Sequence, residues 1–283
     1  MTDGDSPSGT DAFALVGDET RVAILRALAA ARREGGTPIG FADLRRRVGM
    51  RDSGNFNYHV DRLVGSLVER EADGYRLTYA GESLVGTLLA GTHESHRLEV
   101  DASDPCPYCG TGLSGTFEDG VLHLTCESGH YFEAYVPPGA AAERSTEALL
   151  SLAGRTLRTH VAYAFDGVCP FCYGSVSLAP EPADRDYGPG VIYRGGCERC
   201  GHEFAAPPEL AAIDHPAVVA FYHERGQDVT GRAPWALDLG TVDATRSTDP
   251  TGVTLTLTYD GATLAIHLDG TGDVLRVTSA AQS

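Results

Sequence analysis

Seven cysteines, Cys106, Cys109, Cys126, Cys169, Cys172, Cys197 and Cys200, are confined to the middle of a 283-residue chain, and six of them sit in Cys-x-x-Cys pairs. In a cytosolic chain, as this one is expected to be, such pairs predict metal thiolates before disulfides. Cys106-Pro-Tyr-Cys109-Gly, Cys169-Pro-Phe-Cys172-Tyr-Gly and Cys197-Glu-Arg-Cys200-Gly-His202 share a form, with glycine directly or one residue after the second sulfur. That suits a tight knuckle whose backbone N–H groups face the thiolates. Cys169, Cys172, Cys197 and Cys200 offer four sulfurs, the tetrahedral set that zinc favours. Their 24-residue central spacer is long for a zinc ribbon, and Pro180 to Gly190 is expected to bulge from it as a loop.

The stretch Cys126-Glu-Ser-Gly-His130-Tyr-Phe lines up with Cys197-Glu-Arg-Cys200-Gly-His202-Glu-Phe after a one-residue deletion. His130 is then placed to complete a three-cysteine, one-histidine set with Cys106, Cys109 and Cys126. His123 is a rival ligand, and a degenerate ribbon without metal is the alternative. A thioredoxin-type redox pair needs a strand–CxxC–helix context, which is not visible. Two structural zinc ions per chain are expected.

The elements around these knuckles are legible from periodicity. Phe13, Val16, Val22, Ile24, Leu25 and Leu28 predict a helix from Asp11 to Gly35, and Phe41 to Val48 a short one. From Ser53, read as an N-cap, Phe56, Val60, Leu63, Val64 and Leu67 form one apolar stripe of a helix running to Glu69. Arg70 to Thr78 predicts a hairpin turning at Asp73-Gly74. Gly81 to His96 is an amphipathic helix with Leu84, Val85, Leu88 and Leu89 on its stripe. Ala140 to Phe165 predicts another helix, and Pro207 to Arg225 one broken at His215-Pro216. Val253 to Val277 alternates through two Asp-Gly turns as a β-meander, with a fourth strand expected over Trp235 to Val242.

Three helices, a hairpin and a closing helix have the order of a winged helix-turn-helix. Gly17-Asp-Glu-Thr-Arg21-Val-Ala-Ile-Leu25-Arg-Ala-Leu28 and Ser53-Gly-Asn55-Phe56-Asn57-Tyr58-His59-Val60-Asp-Arg62-Leu63 resemble archaeal, halophile-type ArsR-like winged-helix regulators over residues 11–98. The resemblance implies DNA-binding transcriptional regulation, usually as a dimer. No cysteine lies inside this region, so metal-sensing repression is not carried over, and the ribbon-bearing remainder departs from the simple family pattern. Opposite the buried stripe stand Asn55, Tyr58 and Arg62, with His59 at the edge. Arg62 and Asn55 are the candidates for reading guanine and adenine. Arg45, Arg46, Arg47 and Arg51 are expected at phosphates, and Arg70 and Arg76 at the wing's contacts. The Gly81–His96 helix is the expected homodimer seam, the alternative being that it caps its own domain.

Charge agrees with that placement. The chain has 39 acidic residues against 22 basic ones, all of them arginine, for a net charge of −17. A lysine-free acidic composition resembles salt-in halophile proteins, or alternatively a GC-rich genome. Most of the excess falls after residue 100, while Phe41 to Arg76 holds more arginines than acids. The chain lacks a signal peptide, a membrane span, a phosphate loop, a nucleophile elbow and an open zinc site, so a cytoplasmic protein without enzymatic activity or a membrane partner is expected. The expected class is α+β and multidomain. A tail (1–10) precedes a winged helix-turn-helix (11–98), a first zinc ribbon (99–138), a helical spacer (139–166), a second ribbon (167–206) and a helix plus antiparallel β-meander (207–283). The expected function is regulation of transcription on double-stranded DNA. The rival is a zinc-ribbon adaptor docking on the transcription or RNA machinery.

Overall fold

The computed structural model describes residues 14–93, 95–183, 190–248 and 251–280. The expected tail and the first turn of the first expected helix lie outside them. The chain is mixed α and β, and it divides into two compact units, Met1–His93 and Glu94–Ser283.

The first unit holds helices α1 (Glu19–Arg33), α2 (Phe41–Val48) and α3 (Ser53–Leu63), strands β1 (Val68–Glu71) and β2 (Gly74–Leu77), and helix α4 (Tyr79–Leu89). Asp18 caps α1 by accepting from the Arg21 N–H, and Ile24, Leu25, Leu28 and Ala31 turn one face inward. Helix α2 stops at left-handed Gly49. The cap of α3 is Asp52 rather than Ser53: its carboxylate accepts from the N–H groups of Gly54 and Asn55 at 2.8 and 3.1 Å. Phe56, Val60 and Leu63 are buried as expected.

The helix ends six residues before the expected Glu69, because Val64 is extended and Gly65 has φ +85. Leu67 and Val68 are still buried, but from the turn and strand that follow. The hairpin turns at Ala72-Asp73, not Asp73-Gly74. Gly74 already lies in β2, where a Cβ would come 2.2 Å from the Ile39 carbonyl oxygen. Ile39 in turn bridges Tyr75, so a third short segment joins the hairpin.

The second unit carries two antiparallel sheets that each contribute a knuckle. Strands β3 (Arg97–Ala102), β4 (Leu113–Glu118), β5 (Val121–Cys126) and β6 (Tyr131–Tyr135) form the first; β7 (Val176–Pro182), β8 (Val191–Cys197) and β9 (Glu203–Ala206) form the second. Their registers repeat. Leu113 faces Cys126 as Val176 faces Cys197, and Phe132 faces Leu124 as Phe204 faces Gly195. Pairing runs out to Pro182 and Val191, well into the expected bulge, of which 184–189 lie outside the described residues.

Between the sheets, the single helix expected over 140–165 is two, α5 (Pro138–Ala142) and α6 (Thr146–Phe165). Ser145 restarts the second by accepting from the Ala148 N–H. Helices α7 (Pro208–Ala212) and α8 (Pro216–His223) follow with the expected break, then the meander β10 (Thr241–Thr248), β11 (Thr251–Tyr259), β12 (Ala262–Asp269) and β13 (Val274–Ala280). Its fourth strand begins beyond Trp235, which is buried in a short 3-10 turn instead.

Ribbon, spacer and meander share two cores. Phe117, Leu122 and Leu124 pack with Leu149 and Ala153 of α6 and with Trp235. Leu178 and Tyr193 pack with Ala164 of α6, Phe221 and Tyr222 of α8, and Leu255 and Ile266 of the meander. Helix α6 therefore contributes its first half to one core and its end to the other.

Candidate metal centres and the exposed helix face

The repeat seen in the strands continues through the knuckles. In the first, the Cys106 N–H donates to the Thr111 carbonyl and the Gly110 N–H to the Cys106 carbonyl, each at 2.8 Å. In the corresponding turn of the second, Cys169 N–H reaches Gly174 and Tyr173 N–H reaches Cys169, each at 2.9 Å. The turning residue there is Tyr173, φ 55, and not a glycine. Gly174 is small for another reason: a Cβ on it would sit 2.7 Å from the Arg199 Cβ and 3.2 Å from the Cys197 sulfur. The one-residue deletion is visible in the backbone. Cys197 N–H bonds the carbonyl of His202, five residues on, whereas Cys126 N–H bonds that of His130, four residues on.

Cys106, Cys109, Cys126 and His130 form one cluster and Cys169, Cys172, Cys197 and Cys200 the other, with the donor atoms of each within 4.8 Å of one another. Each set could hold a metal ion. Individual separations are Cys109 to Cys126 3.5 Å, Cys106 to the His130 Nδ1 3.5 Å, Cys126 to the same nitrogen 3.4 Å, Cys169 to Cys200 3.7 Å and Cys172 to Cys197 3.4 Å. A tetrahedron with metal–sulfur bonds of about 2.3 Å has edges of about 3.8 Å, whereas a disulfide would need about 2.05 Å. The sulfurs stand near the first spacing. Hydrogen bonds from Thr111 pull the Cys109 thiol down to about 5, and the N–H groups of Cys200 and Arg199 pull Cys197 down to about 6. In each knuckle these hydrogen bonds favour the thiolate form at one of the sulfurs, while burial raises Cys106 to about 11. His123 stays out of both clusters, with its Nδ1 on the Tyr131 hydroxyl and 3.4 Å from Glu133.

The nucleic-acid candidates fall into two groups. Asn55, Tyr58 and Arg62 project from the exposed face of α3, the Arg62 guanidinium lying 5.5 Å from the centre of the Tyr58 ring. Among the described residues, Arg62 makes no ion pair, and Arg51 is exposed. The others are engaged. Arg45 donates to the Arg51 carbonyl, Arg46 pairs with Asp43, and Arg47 meets Glu34 at 2.7 Å. Arg70 pairs with Asp61, and Arg76 with Glu69 and Glu71. His59 is only 12% exposed and lies against Asp18 at 3.5 Å, so its ring faces the body of the unit.

Periodicity and motifs did not mark a third set of residues. A cleft of about 850 Å³ lies among β6, α6 and the second knuckle. Tyr131, Glu133 and Tyr135 are the less buried alternate residues of β6, and both tyrosine hydroxyls donate to Glu133. Burial and then Glu133 push the Tyr135 hydroxyl up to about 12, so it remains a donor. Behind the first knuckle, the Tyr108 hydroxyl donates at 2.8 Å to Glu209, the one buried charged residue among those described. Burial raises the Glu209 carboxyl above the usual carboxylate range, and its second oxygen has no hydrogen-bond partner among the described residues. The strict alternation of Tyr131, Glu133 and Tyr135 was the available signal for the cleft; nothing local marked Glu209.

Two family models match the chain, one within each unit. Residues 9–88 match a domain of unknown function, DUF7347, and residues 103–274 match another, DUF7351. The second match spans more than half of the chain, which therefore belongs to the DUF7351 family. No curated protein matches it. Among the described residues, no helix is long and apolar enough to cross a membrane.

Proposed function

We propose that the protein is a DNA-binding transcriptional regulator, with the first unit acting as a winged helix of the ArsR-like kind and the second stabilised by two structural zinc ions. The observation that carries the reading is the outer face of α3. Asn55, Tyr58 and Arg62 stand exposed on a helix that follows α2 after a tight turn, and Arg62 has no carboxylate partner among the described residues. In a helix-turn-helix, such a face enters the major groove, where arginine pairs with guanine and asparagine with adenine. The hairpin that follows, extended by the Ile39 bridge, supports the winged form.

Zinc is favoured by the donor chemistry, sulfur with one imidazole, and by spacings close to a tetrahedral edge. All four corners of each set come from the protein, which fits a structural ion rather than a catalytic one with an open position. Tyr79 and Leu89 are 87% and 62% exposed on α4, which supports α4 as the seam of a homodimer, although Val85 points into its own core.

The test is a titration of full-length protein with its operator and with random DNA of equal length. Two chains per operator are expected, and Arg62→Ala should lose about 1–3 kcal/mol of discrimination while keeping its melting temperature. Equal affinity of the wild-type protein for operator and random DNA would overturn the reading. One observation favours the adaptor alternative. The hairpin arginines Arg70 and Arg76 are neutralised by Asp61, Glu69 and Glu71, and phosphates would have to displace those carboxylates.

A further inference from the structure

The cleft beside the second knuckle is built from ring surfaces that meet at angles of 50° to 85°. Tyr135 and Phe171 stand 5.4 Å apart between centroids at 85°, and Tyr135 and His202 5.2 Å apart at 72°. Phe171 and His202 meet at 4.2 Å and 50°, and His160 of α6 closes against Phe171 at 5.0 Å and 65°. Rings at such angles form a corner instead of a stack. Phe171 is 43% exposed, unusual for a phenylalanine held in a tight knuckle. Burial holds the His160 imidazole below its ordinary range, so near neutral pH it adds a ring and not a cation.

Charge in the cleft has one dominant sign. Glu133, Glu181 and Glu203 line it against Arg194, which itself lies 3.7 Å from Glu181. An anionic ligand would meet these carboxylates, while an organic cation would be drawn by them and by the negative faces of the rings. The form of the cation follows from Glu133. Each of its oxygens already accepts from a tyrosine, Oε2 from Tyr131 and Oε1 from Tyr135. Its charge remains, but the positions facing the tyrosines are taken. A cation that offers diffuse charge and apolar surface, and needs few directional hydrogen bonds, fits better than a primary amine. The cleft's volume lies within the usual range for small-molecule sites, about 300–1,000 Å³.

We infer that this cleft binds a methylated alkylammonium cation, held by the rings of Tyr135, Phe171 and His202 and by the carboxylate of Glu133. The site is separate from the exposed face of α3, and its test needs no DNA.

Isothermal titration of the full-length, metal-loaded chain with choline and with its neutral isostere 3,3-dimethylbutan-1-ol isolates the contribution of charge. Choline should bind at one site per chain, about tenfold tighter than the alcohol, as a desolvated cation over aromatic faces would. Phe171→Leu should abolish saturable choline binding. Glu133→Gln should weaken choline several-fold without weakening the alcohol, and it keeps the test decisive if Phe171→Leu fails to fold. Equal affinity for choline and the alcohol would overturn the inference, since the cleft would then be merely apolar. Binding of adenosine monophosphate in place of choline would overturn it in favour of base stacking. Absence of binding by all three would also overturn it.

Discussion

The two knuckles of the second unit share one backbone and differ in what they do with two side chains. Tyr108 and Phe171 occupy the same place in Cys-Pro-aromatic-Cys. Both rings line the cleft, but the Tyr108 hydroxyl is tied to buried Glu209 while Phe171 has no such anchor and is 43% exposed. His130 and His202 also correspond, each accepting the N–H of the cysteine that begins its turn. His130 belongs to a ligand set; His202 does not, because Cys200 supplies the fourth donor there. An extra residue in one turn thus keeps a histidine out of the donor cluster and leaves it beside Phe171, 4.2 Å away. The strands carry a matching exchange: Gly115 faces Leu124 in the first sheet, whereas Leu178 faces Gly195 in the second. Two copies of a ribbon can keep their geometry while the knuckle ring of one is tied to a buried carboxyl and that of the other stays half exposed.

The largest expected effect tests what the knuckles have in common. Structural zinc contributes about 10–16 kcal/mol of apparent binding energy in small finger peptides, as much as the whole stability of a typical domain. Cys197→Ser should therefore melt the second unit and bring the metal content below two ions per chain, while the helices of the first unit persist. Metal analysis with amide exchange reads both, and a variant retaining two ions and wild-type protection would break the analogy.

A smaller effect tests the difference. Tyr108→Phe leaves the buried Glu209 carboxyl without its donor and should cost about 1–3 kcal/mol. The reciprocal Phe171→Tyr, at a half-exposed ring, should stay within about 0.5 kcal/mol. Chemical denaturation of both variants decides it, and equal losses would show that the two rings are equivalent after all.

The smallest effect is one of slope. Because burial raises the Glu209 carboxyl, the stability it lends is complete below the ordinary glutamate range and is lost as pH rises toward its raised value. Between pH 5 and pH 8 the wild-type protein should thus lose more stability than Glu209→Gln. Subtracting the two melting profiles removes the contribution of the knuckle thiols, which the proteins share. Parallel profiles would mean that Glu209 does not titrate in this window.

How much of this was legible beforehand depends on the range of the interaction. The ligand sets follow from local spacing, and so does the buried face of α3, since Phe56, Val60 and Leu63 lie within one helix. The end of that helix was not legible from the stripe, because Leu67 and Val68 continue it from a turn and a strand. The Tyr108–Glu209 contact joins residues 101 positions apart, and no window of sequence holds both. The cleft likewise draws on β6, α6 and the second knuckle, and its rings resembled ordinary core residues until their exposure was known. Arginine partners were missed for a related reason. Arg47 and Arg76 look free along the sequence, but folding brings Glu34 and Glu69 to them.

Helix α6 ties the two copies to one rod. Its Leu149 and Ala153 wall the core of one ribbon, and its Ala164 walls that of the other. Arg158 between them donates to the Val229 carbonyl and pairs with Asp214, fastening the segment after α7 to the same rod. Removing either copy would bare the part of α6 that it covers, while α6 itself still walls the other core. The two donor clusters are therefore expected to unfold together, so that loosening at either knuckle is felt at the other as a change in stability.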